Sequence, residues 1–183
     1  MIIETFSCFK HILSTEPFDE YNSFVEQAQQ EGVQPKDLHN RDYFLLVYYN
    51  GVPGASATFV NGGLYDPRVC RVSDLYISQV FRNNLSIAPT EHRREGFKYA
   101  ICDLIDNHTD YKLSIITANW HRRTKLVSRW YTSFGYTEDP NYYYCVASPK
   151  TSKDSWRRIF YRGDLSLLTV DKITHSTYDA MFG

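Results

Sequence analysis

The sequence predicts an α/β fold of the α+β kind, with helices flanking a mixed, mostly antiparallel central sheet. Three observations carry that expectation. Apolar residues recur at three- and four-residue spacing from Phe18 to Ala28 and again from Phe97 to Ile105, as on one buried face of a helix. Between those stretches two apolar runs meet at Asn50-Gly51, the strongest short hairpin signal a sequence offers. Further on, a strand pattern, a helix pattern and a second strand pattern follow one another from Lys112 to Ala147, an order that calls for a parallel pair.

Taken in order, Ile2 to Phe9 reads as a first strand. Pro17 follows Ser14 and Thr15 as a first-turn proline follows its cap, and Phe18, Tyr21, Phe24, Val25 and Ala28 then form one helical stripe that Gly32 stops. Tyr43 to Tyr49 and Ala55 to Val60 read as the two arms of the hairpin, and Arg68 to Ser78, after the Gly62-Gly63 break, as the next strand. Pro89 opens the longest helix, with Phe97, Ile101, Leu104 and Ile105 inward and an end near Asn107-His108. Lys112 to Ala118 is a strand, Arg122 to Phe134 a helix with Leu126, Val127, Trp130 and Tyr131 inward, and Tyr142 to Ala147 the last clear strand. After Pro149 the composition changes, so the expected organisation is one domain over 1–148 with a C-terminal extension over 149–183 packed on it or projecting from it.

Composition supports a single globular core, since 183 residues with 43% hydrophobic and 22% charged side chains bury enough apolar surface for one domain. A net charge of −1 argues against whole-surface attraction to nucleic acid or to anionic lipid. No run approaches about 18 consecutive apolar residues, and Met1-Ile2-Ile3-Glu4 lacks the layout of a secretion signal. The expected setting is the cytoplasm, or the inside of a particle, with no membrane partner. Cys8, Cys70, Cys102 and Cys145 are scattered among apolar neighbours without a Cys-x-x-Cys pair, which reads as buried thiols and no metal site.

Two segments carry a family signature. Leu75-Tyr76-Ile77-Ser78-Gln79-Val80-Phe81-Arg82 is an apolar strand end with an arginine five residues after Ile77, and Trp130-Tyr131 followed by Phe134-Gly135-Tyr136 is a helix ending in aromatic-Tyr and then Gly-aromatic. Together with the element order over residues 1–148, they resemble the GNAT (acyl-CoA N-acyltransferase) superfamily. The resemblance implies a cleft between two parting strands, Leu75 to Ile77 and Lys112 to Ala118, in which the arm of acetyl-CoA pairs with backbone groups of Leu75, Tyr76 and Ile77. It also implies a pyrophosphate seated on Arg82, Asn83, Asn84, Leu85, Ser86 and Ile87, because the first amides of the following helix and its dipole favour an anion.

That loop departs from the family pattern, since Leu85 and Ile87 stand where small residues belong and their side chains compete for phosphate space. A second alignment sets Arg93-Arg94-Glu95-Gly96 on the phosphates instead, but Pro89 already suits a first helical turn.

The resemblance gives Tyr131 the part of the acid that protonates the departing thiolate, a role that suits a phenol still protonated at neutral pH. Asp74, just before the cleft strand end, is the first candidate for the base that relieves the attacking amine of its proton, with a strand-edge ion pair as its structural alternative. His121 with Arg122 and Arg123 reads as a solvated loop, and Arg157 and Arg158 beside Trp156 and Phe160 as an aromatic anchor or a nucleic-acid contact. Two function classes follow. One is an acetyltransferase acting on a small-molecule or protein amine; the other is an inactive GNAT-shaped binding or structural protein, such as a phage virion component, with protein assembly partners.

Overall fold

The computed structural model describes residues 2–6, 9–32, 41–79, 81, 90–118 and 124–183, with side chains for all of these except 2–6, 90–96, 99, 118, 124–127 and 130. The chain forms two compact units, 1–62 with 72–110 and 63–71 with 111–183. This division differs from the expected 1–148 and 149–183, because long-range strand pairing groups residues that the change of composition at Pro149 separates.

In the first unit, strands β1 (Ile2–Phe6) and β2 (Phe9–Ser14) pair as an antiparallel hairpin where the sequence pattern suggested one strand over Ile2 to Phe9. Strands β3 (Tyr43–Tyr49) and β4 (Val52–Val60) follow, with β3 pairing antiparallel to both β2 and β4. Asn50 and Gly51 join them with φ of 48° and 77°, the left-handed pair that a tight hairpin turn requires. Near that turn the β3–β4 register passes from Val47–Ala55 to Tyr48–Pro53, so Gly54 is the extra residue of a bulge. Strand β5 (Val69–Ile77) lies next to β4, and its residues from Val72 onward belong to this unit.

Helix α1 (Asp19–Gln30) buries Tyr21, Phe24, Val25 and Ala28, the stripe that the spacing predicts. It begins two residues beyond Pro17, with Phe18 at the cap, because the Ser14 hydroxyl already accepts the amide of Glu16 in a local turn. Tyr21 meets Phe44 edge-on at 5.3 Å, and Phe24 packs against Leu46 and Tyr76. Each such burial contributes roughly 1.5–3 kcal/mol. Helix α2 (Thr90–His108) supplies Phe97, whose ring packs edge-on against Phe9 and Phe81.

The second unit holds β6 (Leu113–Ala118), α3 (Thr124–Ser133), β7 (Thr137–Glu138), β8 (Tyr142–Cys145), β9 (Trp156–Gly163), β10 (Lys172–Thr174) and α4 (His175–Phe182). Its strand order is β6-β9-β8-β10, antiparallel throughout, with β7 also beside β9. The expected parallel pairing across α3 is therefore not a direct one, because β9 enters between β6 and β8. Instead, the parallel ladder joins Val69–Arg71 of β5 to Leu113–Ile115 of β6.

The segment after Pro149 is thus part of the sheet. Ile159 and Phe160 of β9 are fully buried, and Arg158 is buried with its guanidinium donating to Glu138 Oε1 at 2.9 Å and to the Asp139 carbonyl at 2.8 Å. Trp156 is buried and donates its indole N–H to the Lys150 carbonyl at 2.7 Å. Arg158 and Trp156 are anchors inside the unit. Tyr178 of α4 stacks on Tyr143 at 3.8 Å, which fastens the C-terminal helix to β8.

Candidate active site

The strand end singled out by the sequence lies on β5. Asp74 carries a positive φ of 52°, uncommon for a residue with a side chain, and Oδ2 of its carboxylate accepts the Thr58 hydroxyl at 2.8 Å and the Arg41 guanidinium at 3.2 Å. Both partners of the ion pair are nearly buried. Tyr76 points toward α1, packs on Phe24 and donates its hydroxyl to the Glu31 carboxylate. Ile77 is buried and Leu75 half-buried. Among the described residues the β5–β6 ladder ends at the pair Arg71–Ile115, and β5 continues past it to Ile77.

Beside this strand end the first unit has a groove of about 680 Å³ that sequence reading missed. It is lined by Asp19, Glu20, Ser23, Phe24 and Gln27 of α1, with Tyr48 from β3, Val52 and Pro53 from β4, and Ser78 and Phe81 beyond β5. Burial first, and the Glu20 carboxylate second, push the Tyr48 phenol above its ordinary pKa. The groove gathers residues from separate elements, so only the folded register brings its apolar floor and acidic rim together.

In the second unit, Tyr131 sits on α3 with its ring edge-on to Phe160 at 5.1 Å. Burial pushes its phenol above the ordinary value, which keeps the proton in place over the physiological range. Arg82, Asn83, Asn84, Leu85, Ser86 and Ile87 lie outside the described residues, as do His121, Arg122 and Arg123. The side chains of Arg93 and Arg94 are outside the description as well. Among the described residues no group of three or more His, Cys, Asp and Glu side chains is set to hold a metal ion. No described helix is long and apolar enough to cross a membrane.

No protein-family model and no curated protein matches the sequence. Solved structures do match the fold. RimL, a ribosomal L7/L12 α-N-protein acetyltransferase in complex with coenzyme A, superposes with a TM-score of 0.56 at 8% identity, over 89% of this chain and 98% of that one. The chain has the GNAT fold. The same GNAT architecture is seen in the aminoglycoside acetyltransferase AAC(6′)-Ib in complex with coenzyme A, with a TM-score of 0.53 at 13% identity over 84% of this chain and 94% of that one. The Campylobacter jejuni N-acetyltransferase PseH gives a TM-score of 0.50 at 12% identity, over 86% of this chain and 99% of that one. At such identities the likeness is one of GNAT fold, with substrate recognition left to each chain's own side chains.

Proposed function

We propose that the chain is an N-acyltransferase that moves the acetyl group of acetyl-CoA onto the amine of a small molecule or protein. The observation that carries this reading is the fold shared with acetyltransferases over 89% of the chain, in a neighbour that holds coenzyme A. Strand β5 runs to Ile77, and the extended backbone of a strand end can pair with a ligand much as an added strand would.

Leu75, Tyr76 and Ile77 are the residues whose backbone would hold the arm. Acetyl-CoA supplies a thioester whose carbonyl carbon an amine can attack, forming the C–N bond and breaking the C–S bond. Tyr131 provides the proton that the leaving sulfur takes up, and burial keeps that proton on the phenol until it is needed. The acceptor attacks as the free amine, after its ammonium has lost one proton to water, and the second proton, shed by the nitrogen once the C–N bond has formed, returns to the Tyr131 phenolate. Asp74 has no proton-transfer part in this proposal, because its Oδ2 is engaged by Arg41 and Thr58.

Melting temperature with and without acetyl-CoA tests the reading. A ligand that binds only the folded chain at about 100 times its Kd adds roughly 2.7 kcal/mol, a shift of several degrees. No shift at millimolar acetyl-CoA overturns the reading and leaves an inactive binding or structural protein of the same fold.

A further inference from the structure

The groove of the first unit bears on the acceptor, in an inference that rests on the transferase reading. Its described lining contains two carboxylates, Asp19 and Glu20, and no Lys, Arg or His. Phe24 and Phe81 are buried beneath it and Pro53 is half-buried, so its floor is apolar and aromatic, while Val52 stands exposed at 52% on the rim. Ser78, the residue after β5, lines it too, so the groove opens where the strand assigned to the acyl arm ends.

These features select one kind of occupant. An anion would meet two negative charges with no compensating cation among the described lining residues, and a neutral apolar molecule would gain nothing from them. A purely hydrophilic polycation would leave the aromatic floor uncovered, giving up the contact that supplies most of the binding free energy in such pockets. A cation on an apolar body satisfies both parts, and the Tyr48 ring adds a face that an ammonium can approach.

We propose that the groove recognises the acceptor as an amphipathic primary amine, with its aromatic or aliphatic body on Phe24, Pro53 and Phe81 and its ammonium toward Asp19 and Glu20. The carboxylates set charge selectivity, and the floor sets affinity. Both acidic residues fall in the first turn of α1, where negative charge is only modestly stabilising, so exchange for amides weakens the helix slightly without unfolding it.

Isothermal titration of the full chain with tryptamine, in the absence of acetyl-CoA, tests the proposal. Saturable one-to-one binding is expected. Indole-3-propionate, the same ring with an anionic tail, binds at least tenfold more weakly. Asp19→Asn with Glu20→Gln weakens tryptamine about tenfold, the loss of two exposed charge contacts, and Val52→Lys weakens it through a new rim cation while the melting temperature stays unchanged. Equal binding of the two indoles, unchanged tryptamine affinity in the amide variant, or no binding at millimolar concentration overturns the proposal. The acetyl-CoA melting shift, measured on the same samples, separates the two failures. Tryptamine binding lost while that shift persists overturns the groove assignment alone, and the converse overturns the transferase reading and the acceptor role with it.

Discussion

Arg41 reaches Asp74 across 33 residues of sequence, with Nε and Nη2 both 3.2 Å from Oδ2 of the carboxylate. The pair fixes the start of the loop-facing half of β5, where Asp74 holds a left-handed φ of 52° that an unsupported side-chain residue rarely keeps. The neighbouring Tyr21 phenol is pushed above its usual pKa by burial first and by this carboxylate second. Removing one partner of a nearly buried ion pair leaves the other charge uncompensated, at a cost of about 3–5 kcal/mol. Asp74→Ala should therefore lower stability by roughly 3 kcal/mol in urea unfolding, and adding Arg41→Met should restore part of the loss. A double variant that loses the sum of the two single effects would contradict a coupled pair.

Gly163 closes β9 at a φ of 111°, and a Cβ built there would lie 2.2 Å from the Lys112 carbonyl oxygen. The obstacle is backbone, which cannot rotate away, so Gly163→Ala should cost about 2–4 kcal/mol through strain and overpacking. The corresponding distance at Gly54 is 2.2 Å to Cζ of Phe97, a side chain held in the core and not backbone, and Gly54 carries no positive φ to add backbone strain. Gly54→Ala should therefore be the milder change in a paired urea-denaturation comparison, and the opposite ranking would count against this account of the two glycines.

His11 on β2 is fully buried, and burial pushes its imidazole down from 6.5 to about 4, with Asp103 partly opposing and His108 adding to the effect. The folded group stays neutral where the unfolded one takes a proton. Its contribution is complete above the unfolded pKa and is lost as pH falls from 6.5 toward 4. The loss approaches roughly 2–3 kcal/mol. Urea midpoints measured from pH 7.5 to pH 4.5 should fall more steeply for the native chain than for His11→Leu, and parallel curves would assign the acid sensitivity elsewhere.

What the sequence made legible was set by local chemistry. The β3–β4 hairpin is readable because Asn50 and Gly51 meet the backbone demand of the turn themselves, and α1 because its four buried residues share one face. The reading of Ile2 to Phe9 as one strand, with the return strand to Ser14 missed, shows the limit of alternation, which is the same in a straight strand and in one that folds back on itself. The place of β9 between β6 and β8 was hidden because nothing local to Trp156–Gly163 records which edges it pairs with. The site divides in the same way. Leu75, Tyr76, Ile77 and Tyr131 enter the proposed site by motif alone, whereas the acidic groove needs α1, β3 and β4 to meet, and Arg41 needs a contact across 33 residues.

Acetyl transfer by the purified chain tests the central claim most directly, read as free coenzyme A thiol released together with a 42 Da gain on an added primary amine. The account predicts equal amounts of thiol and acetylated amine, with kcat falling about 10²- to 10⁴-fold in Tyr131→Phe while the acetyl-CoA melting shift is kept. Thiol release at the uncatalysed rate for every amine offered, or transfer undiminished in Tyr131→Phe, would contradict it.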